Sequence, residues 1–177
     1  MTDQRNWLER LGEKIPGYSG YVAKERRRDI DKLHREHTAD RLRATKRPLT
    51  EFMRELSSSG RLFEVGPIDR ALKKIDQIEN RVRFASYGYA GFFDVAKIEE
   101  TELDRIYQFD LALVEKVEEL ERQAQALAGR GSTADGLKQA AADVERAADD
   151  LNRAFDDRYR AIENFRPDGS PGQPMFS

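Results

Sequence analysis

Between Leu103 and Phe165 the chain repeats one arrangement twice: apolar side chains separated by alternating steps of three and four residues. Leu103, Ile106, Leu113, Val117, Leu120, Ala124 and Leu127 share the first seam with a single charge, Asp110. Leu137, Ala141, Val144, Ala148, Leu151, Phe155, Ile162 and Phe165 share the second, interrupted by Arg158. Such steps lay side chains along one face of an α-helix, whereas a half-buried strand needs a period of two. The seams predict two long helices, about 97–128 and about 134–165. The GRGST segment at 129–133 supplies a turn, so the helices are expected to pair as an antiparallel hairpin. In that register Leu127 meets Leu137, Leu120 meets Val144 and Leu113 meets Leu151.

No stretch elsewhere alternates with period two, so the expectation is an all-α fold, a helical bundle of about six helices. A short helix over about Thr2 to Lys14 ends at IPGYSGY, and a charged helix follows over about Tyr21 to Ala44. Pro48 is expected in the first turn of a third helix, because its missing N–H has no partner there anyway, and SSSG at 57–60 closes it. A fourth helix opens beside Pro67 and carries Ile68, Leu72, Ile75, Ile78, Val82, Ala85 and Tyr89 on one stripe. The chain is read as one helical domain over 1–165. It comprises basic N-terminal helices (1–61), a central helix with an aromatic corner (62–96) and the acidic helical hairpin (97–165). Residues 166–177 hold three Pro and two Gly in twelve positions and read as a disordered tail.

Several chemistries lose their entry point in the composition. There is no cysteine, hence no disulfide, thiolate nucleophile or Cys-ligated zinc. No phosphate-binding glycine motif and no nucleophile elbow occurs, so no cofactor is expected. A di-metal carboxylate bundle needs an E-x-x-H motif on each of two helices. The only histidines, His34 and His37, lie on one charged helix and are read as solvent-facing, with no metal site. Charged residues from position 3 onward leave no secretory leader, and the longest charge-free run, Phe84 to Phe93, is ten residues, against about 18 for a membrane span. A cytoplasmic protein is expected.

Charge is polarised along the chain. Residues 1–61 carry 15 basic and 10 acidic side chains, and residues 99–163 carry 9 and 17. Clustered cations can serve nucleic acid or an anionic membrane surface, since each neutralised phosphate releases counterions. Acidic residues interleaved at helical spacing, and an acidic segment in the same chain, favour internal complementarity instead. Arg26, Arg27, Arg28, Lys32 or Arg35 is then expected to pair with the hairpin. Five aromatics, Phe84, Tyr87, Tyr89, Phe92 and Phe93, crowd into ten residues beside Gly88 and Gly91 and read as a plug at a bundle corner or a binding platform. Met175 and Phe176 are a candidate docking motif. Asp110 and Arg158, one helical turn apart in the hairpin register, are expected to pair. The functional expectation is a non-catalytic interaction or scaffold protein whose partner is another protein, with self-association left open. The alternative is a bundle enzyme or ligand carrier with its site at Asp110, Arg158 and the aromatic corner.

Overall fold

The computed structural model describes residues 4–18, 27–85 and 100–163. Among them are five α-helices and no strand: α1 (Gln4–Lys14), α2 (Arg27–Ser58), α3 (Gly66–Phe84), α4 (Glu100–Arg130) and α5 (Ala134–Glu163), with a single 3₁₀ turn at Leu62–Glu64. The chain is all-α. The expected helix boundary between Ala44 and Pro48 does not occur, and α2 runs through Pro48 without ending. A buried seam explains this. Asp31, Arg35, Thr38, Leu42, Thr45, Leu49, Phe52 and Leu56 are all buried and follow one another at steps of four and three, unbroken across the proline. Proline removes one ladder hydrogen bond and crowds the preceding turn. Packing of the seam on both sides of Pro48 holds the helix through that defect.

Helix ends fall where local chemistry stops them. Pro16 and Gly17, the latter at φ +86°, terminate the first segment. Gly60, at φ +80°, closes α2, and the Arg61 N–H donates to the Leu56 carbonyl at 2.9 Å. That is the six-to-one bond of a glycine C-cap. Pro67 lies in the first turn of α3.

Helices α2 to α5 share one apolar core, to which α2 contributes Leu42, Leu49 and Leu56, α3 Ile68, Ile75 and Val82, α4 Leu113 to Leu127 and α5 Leu137 to Phe155. Polar contacts give the directions. His34 lies at Asp110 and Arg41 at Glu121, so α2 and α4 run parallel. Lys46 reaches Asp76 and Glu79 while Arg83 reaches Asp40, so α2 and α3 run antiparallel. Lys74 meets Asp149 and Arg81 meets Asp156, so α3 and α5 run parallel. Against this body α1 packs mainly on α4. Its Leu11 and Ile15, with Tyr18, form a separate cluster with Ile30, Leu111 and Val114.

The α4–α5 turn depends on two close approaches. A Cβ at Gly131 would lie 2.7 Å from the Phe52 ring, and one at Gly136 would lie 2.4 Å from the Arg130 carbonyl oxygen. By contrast, Gly129 has nothing within 4 Å of that position. Alanine in an open helical site stabilises by about 0.5–1 kcal/mol relative to glycine. Gly129→Ala is therefore expected to raise the urea midpoint, and Gly136→Ala to lower it by about 1–3 kcal/mol equivalent, because backbone must move.

Among the described residues charge complementarity is present, through cations other than Lys32 and Arg35. Arg10, Lys14 and Arg41 reach Glu115, Glu118 and Glu121 of α4. Lys32 lies 3.8 Å from Glu36 within α2, and Arg35 pairs with Asp31. Arg26, Arg27 and Arg28 fall outside the described side chains. The difference arises because Arg35 sits on the buried seam of α2, facing inward. Exposed pairs of this kind contribute about 0–1 kcal/mol each and orient helices more than they stabilise them.

Candidate functional site

Three seams carry a charge at the same level of the bundle: Asp31 and Arg35 on α2, Asp110 on α4 and Arg158 on α5. The result is one polar layer in an apolar interior. Arg158 is its hub, only 1 % exposed. Its Nε–H donates to Asp110 Oδ1 at 2.5 Å and its Nη2 to Asp31 Oδ1 at 2.8 Å. Asp31 accepts a second bond at Oδ2 from Arg35 Nε, also at 2.8 Å. His34, 1 % exposed, donates from Nε2 to the Asp110 backbone carbonyl at 3.1 Å, which assigns a proton to Nε2. Its Nδ1 stands 3.9 Å from Asp110 Oδ1. Two carboxylates therefore face two guanidiniums, and three helices meet at one residue.

Tyr18, just past α1, lies against this layer. Its ring meets that of Tyr107 edge-on, with centroids 6.3 Å apart at 81°. Burial, then the charge of Asp110, pushes the phenol up, so it stays a neutral donor throughout the ordinary pH range. Its hydroxyl has no hydrogen-bond partner among the described residues. Burial alone would raise the Asp31 carboxyl, but Arg158 and Arg35 outweigh it and hold the group below the usual carboxylate range. His37, one turn along α2, is pushed down by burial, then by Arg41 and His34.

Asp110 and Arg158 are thus brought into direct contact. Tyr87, Tyr89, Phe92, Phe93, Met175 and Phe176 lie outside the described residues. The solvent-facing expectation for the histidines is corrected at His34, which is buried, because the α2 face that carries Asp31 and Thr38 turns inward. Asp31, Arg35 and Tyr18 are site residues that sequence reasoning missed, although the first two stand on a seam visible once α2 is read through Pro48. Among the described residues no three His, Cys, Asp or Glu side chains are arranged to hold a metal ion, and no helix is long and apolar enough to cross a membrane. A surface groove of about 260 Å³ between α3 and α5 is lined by Lys74, Gln77, Ile78, Arg81, Asp149 and Asn152. Its cations already bridge to Asp149, Asn152 and the neighbouring Asp156. Large apolar side chains stand exposed elsewhere: Leu62 at 58 %, Phe63 fully, and Phe84.

The titration directions predict acid sensitivity in two stages. A histidine whose folded pKa is lowered loses stability as pH falls below its unfolded value of about 6.5, because the unfolded chain takes up the proton first. A carboxylate whose folded pKa is lowered contributes stability above its unfolded value, and this is lost as pH falls through the folded one. Melting temperature is expected to decline below about pH 6.5 through His37 and again below about pH 4 through Asp31 and Glu118. His37→Gln should remove the first stage and leave the second.

No protein-family model matches the chain, and no curated protein or solved structure is significantly similar to it.

Proposed function

We propose that the chain is a non-catalytic helical-bundle protein that works by binding another protein, as an interaction module or scaffold. The observation that carries this reading is the closure of the polar layer. Arg158, Asp110 and Asp31 bond to one another and are almost wholly buried, an arrangement suited to fixing three helices and poorly suited to turning over a substrate. In the same proposal α4 and α5 form a long antiparallel hairpin. Its support is that Arg130 pairs with Asp143 near the turn while Asp110 pairs with Arg158 far from it.

Binding finds support in Leu62 and Phe63, which stand exposed on a turn braced by the Arg61–Glu64 ion pair and by Arg61 Nη2 donating to the Gly131 carbonyl at 3.0 Å. Exposed aromatics held rigidly are the usual anchors of protein interfaces. The test is an affinity capture from lysate with the wild-type chain and with Leu62→Ser/Phe63→Ser. Proteins retained by the first and lost with the second, at unchanged melting temperature, are expected. Equal capture by both, or none by the wild type, overturns the reading. A third arm lacking residues 166–177 tests Met175 and Phe176.

One observation favours a second reading, a small-ligand carrier. The Tyr18 hydroxyl is a buried donor beside Asp110 and Arg158 with no partner among the described residues, a state that is disfavoured unless another group accepts. Native mass spectrometry of the purified chain would then show an adduct that Tyr18→Phe abolishes.

A further inference from the structure

Outside the four-helix core, α1 is held by few contacts. Leu11, Ile15 and Tyr18 are its anchors, set in a cluster separate from the main core. The helix is eleven residues long with Gly12 in its last turn, and isolated helices shorter than about 12–15 residues are marginal in water. Tyr18 brings an unpartnered hydroxyl inside with it. All three features weaken the docking of α1 relative to α2–α5, so α1 is the element that detaches at least expense of structure.

The seat beneath it has a defined chemistry. Ile30, Leu111 and Val114 form the floor, and Glu115 and Glu118 form an acidic rim. It fits a helix with apolar residues at steps of four and three, each of the first two preceded by a cation. That is the order Arg10, Leu11, Lys14, Ile15, Tyr18. Arg10 pairs with Glu115, and Lys14 Nζ with Glu118 at 2.5 Å.

We propose that this groove between α2 and α4 also binds the α1 of a second copy, so that two chains exchange N-terminal helices. The proposal rests on the reading of the chain as a binding protein and names the partner as the chain itself. Every copy carries both the groove and a segment matched to it in apolar spacing and in charge. Exchange reuses the same contacts in a closed two-fold pair, and the incoming Tyr18 lies buried against the polar layer of the receiving chain. Intramolecular docking has the advantage of high effective concentration, so the exchanged pair is a minor population of the native chain, which a disulfide can trap, and becomes the main one when each chain's own α1 is repelled.

Charge swapping tests this. One variant carries Arg10→Glu and Lys14→Glu, the other Glu115→Lys and Glu118→Lys, so that each repels its own α1 and accepts the other's. By light scattering after size exclusion, each alone is expected at 20.4 kDa and the equimolar mixture at twice that mass. A mixture that stays at 20.4 kDa overturns the proposal, as does a dimer that survives Leu11→Asp/Ile15→Asp in both chains. Should either charge variant lose its helical circular dichroism, disulfide trapping gives an independent measurement in this cysteine-free chain. Arg10→Cys and Glu115→Cys chains, mixed and oxidised, should form the mixed dimer well above either homodimer. Statistical proportions overturn exchange. Both assays use purified chain, so their outcome is separate from that of the lysate capture.

Discussion

Arg158→Met is expected to destabilise the fold by about 3–5 kcal/mol, because it leaves Asp110 buried without its guanidinium and Asp31 with Arg35 alone. The side chain it replaces is among the largest fully buried ones in the protein, and methionine fills much of the same space, so the loss reports charge more than volume. Asp110→Asn is expected to be milder, since Asp31 still pairs with Arg158 through Nη2. Combining Asp110→Asn with Arg158→Met should lose less than the sum of the two, by about 0.5–3 kcal/mol of coupling, and strictly additive losses in urea unfolding would refute the pairing. Adding Asp31→Asn together with Arg35→Met should recover stability further, because Arg35 is the remaining partner of Asp31 and buried ion networks replaced as a unit by neutral groups are often no less stable than the original. What the network supplies in that case is specificity. The apolar seams are otherwise interchangeable leucines and alanines, and a charged layer penalises every register that separates Asp31, Asp110 and Arg158.

Leu113→Ala and Leu151→Ala are each expected to lose about 2–5 kcal/mol, since both side chains are buried at 1 % exposure or less in the shared core. Their combination measures the proposed hairpin register. If the two face each other, a common cavity makes the double mutant non-additive by about 0.5 kcal/mol or more, whereas Leu113→Ala with Leu137→Ala, far apart in that register, should be additive. Equal coupling in both pairs, read from denaturant unfolding, would reject the register.

Much of this architecture is legible in the chain. Every described position of the two C-terminal seams, from Ile106 to Leu127 and from Leu137 to Ile162, is buried, the interrupting charges included. Helix α3 begins beside its proline and buries Ile68, Ile75, Ile78 and Val82, as its stripe predicts. In α2 the structure departs from the sequence expectation. There a seam of eight buried positions runs through the proline that predicts a helix end, and His34 takes its burial from the face it occupies rather than from the charge of its neighbours. The seam was present in the residues but began with Asp31, Arg35 and Thr38, polar types that a search for apolar periodicity passes over.

Periodicity is a local property: the helical repeat fixes which side chains share a face, so seam membership and all-α character follow from residue order alone. Which seam charges meet is not local. Asp31 and Arg158 stand 127 positions apart, and only the packing of α2 against α5 brings them to 2.8 Å. A buried charge is tolerated only where its partners are buried with it, so whether Arg35 faces water or Asp31 faces the core depends on a neighbour helix that its own sequence does not encode. The same holds for Pro48. Its local preference is to end a helix, and the core contacts of α2 on either side outweigh it because burial accumulates over the whole seam while the proline penalty acts once.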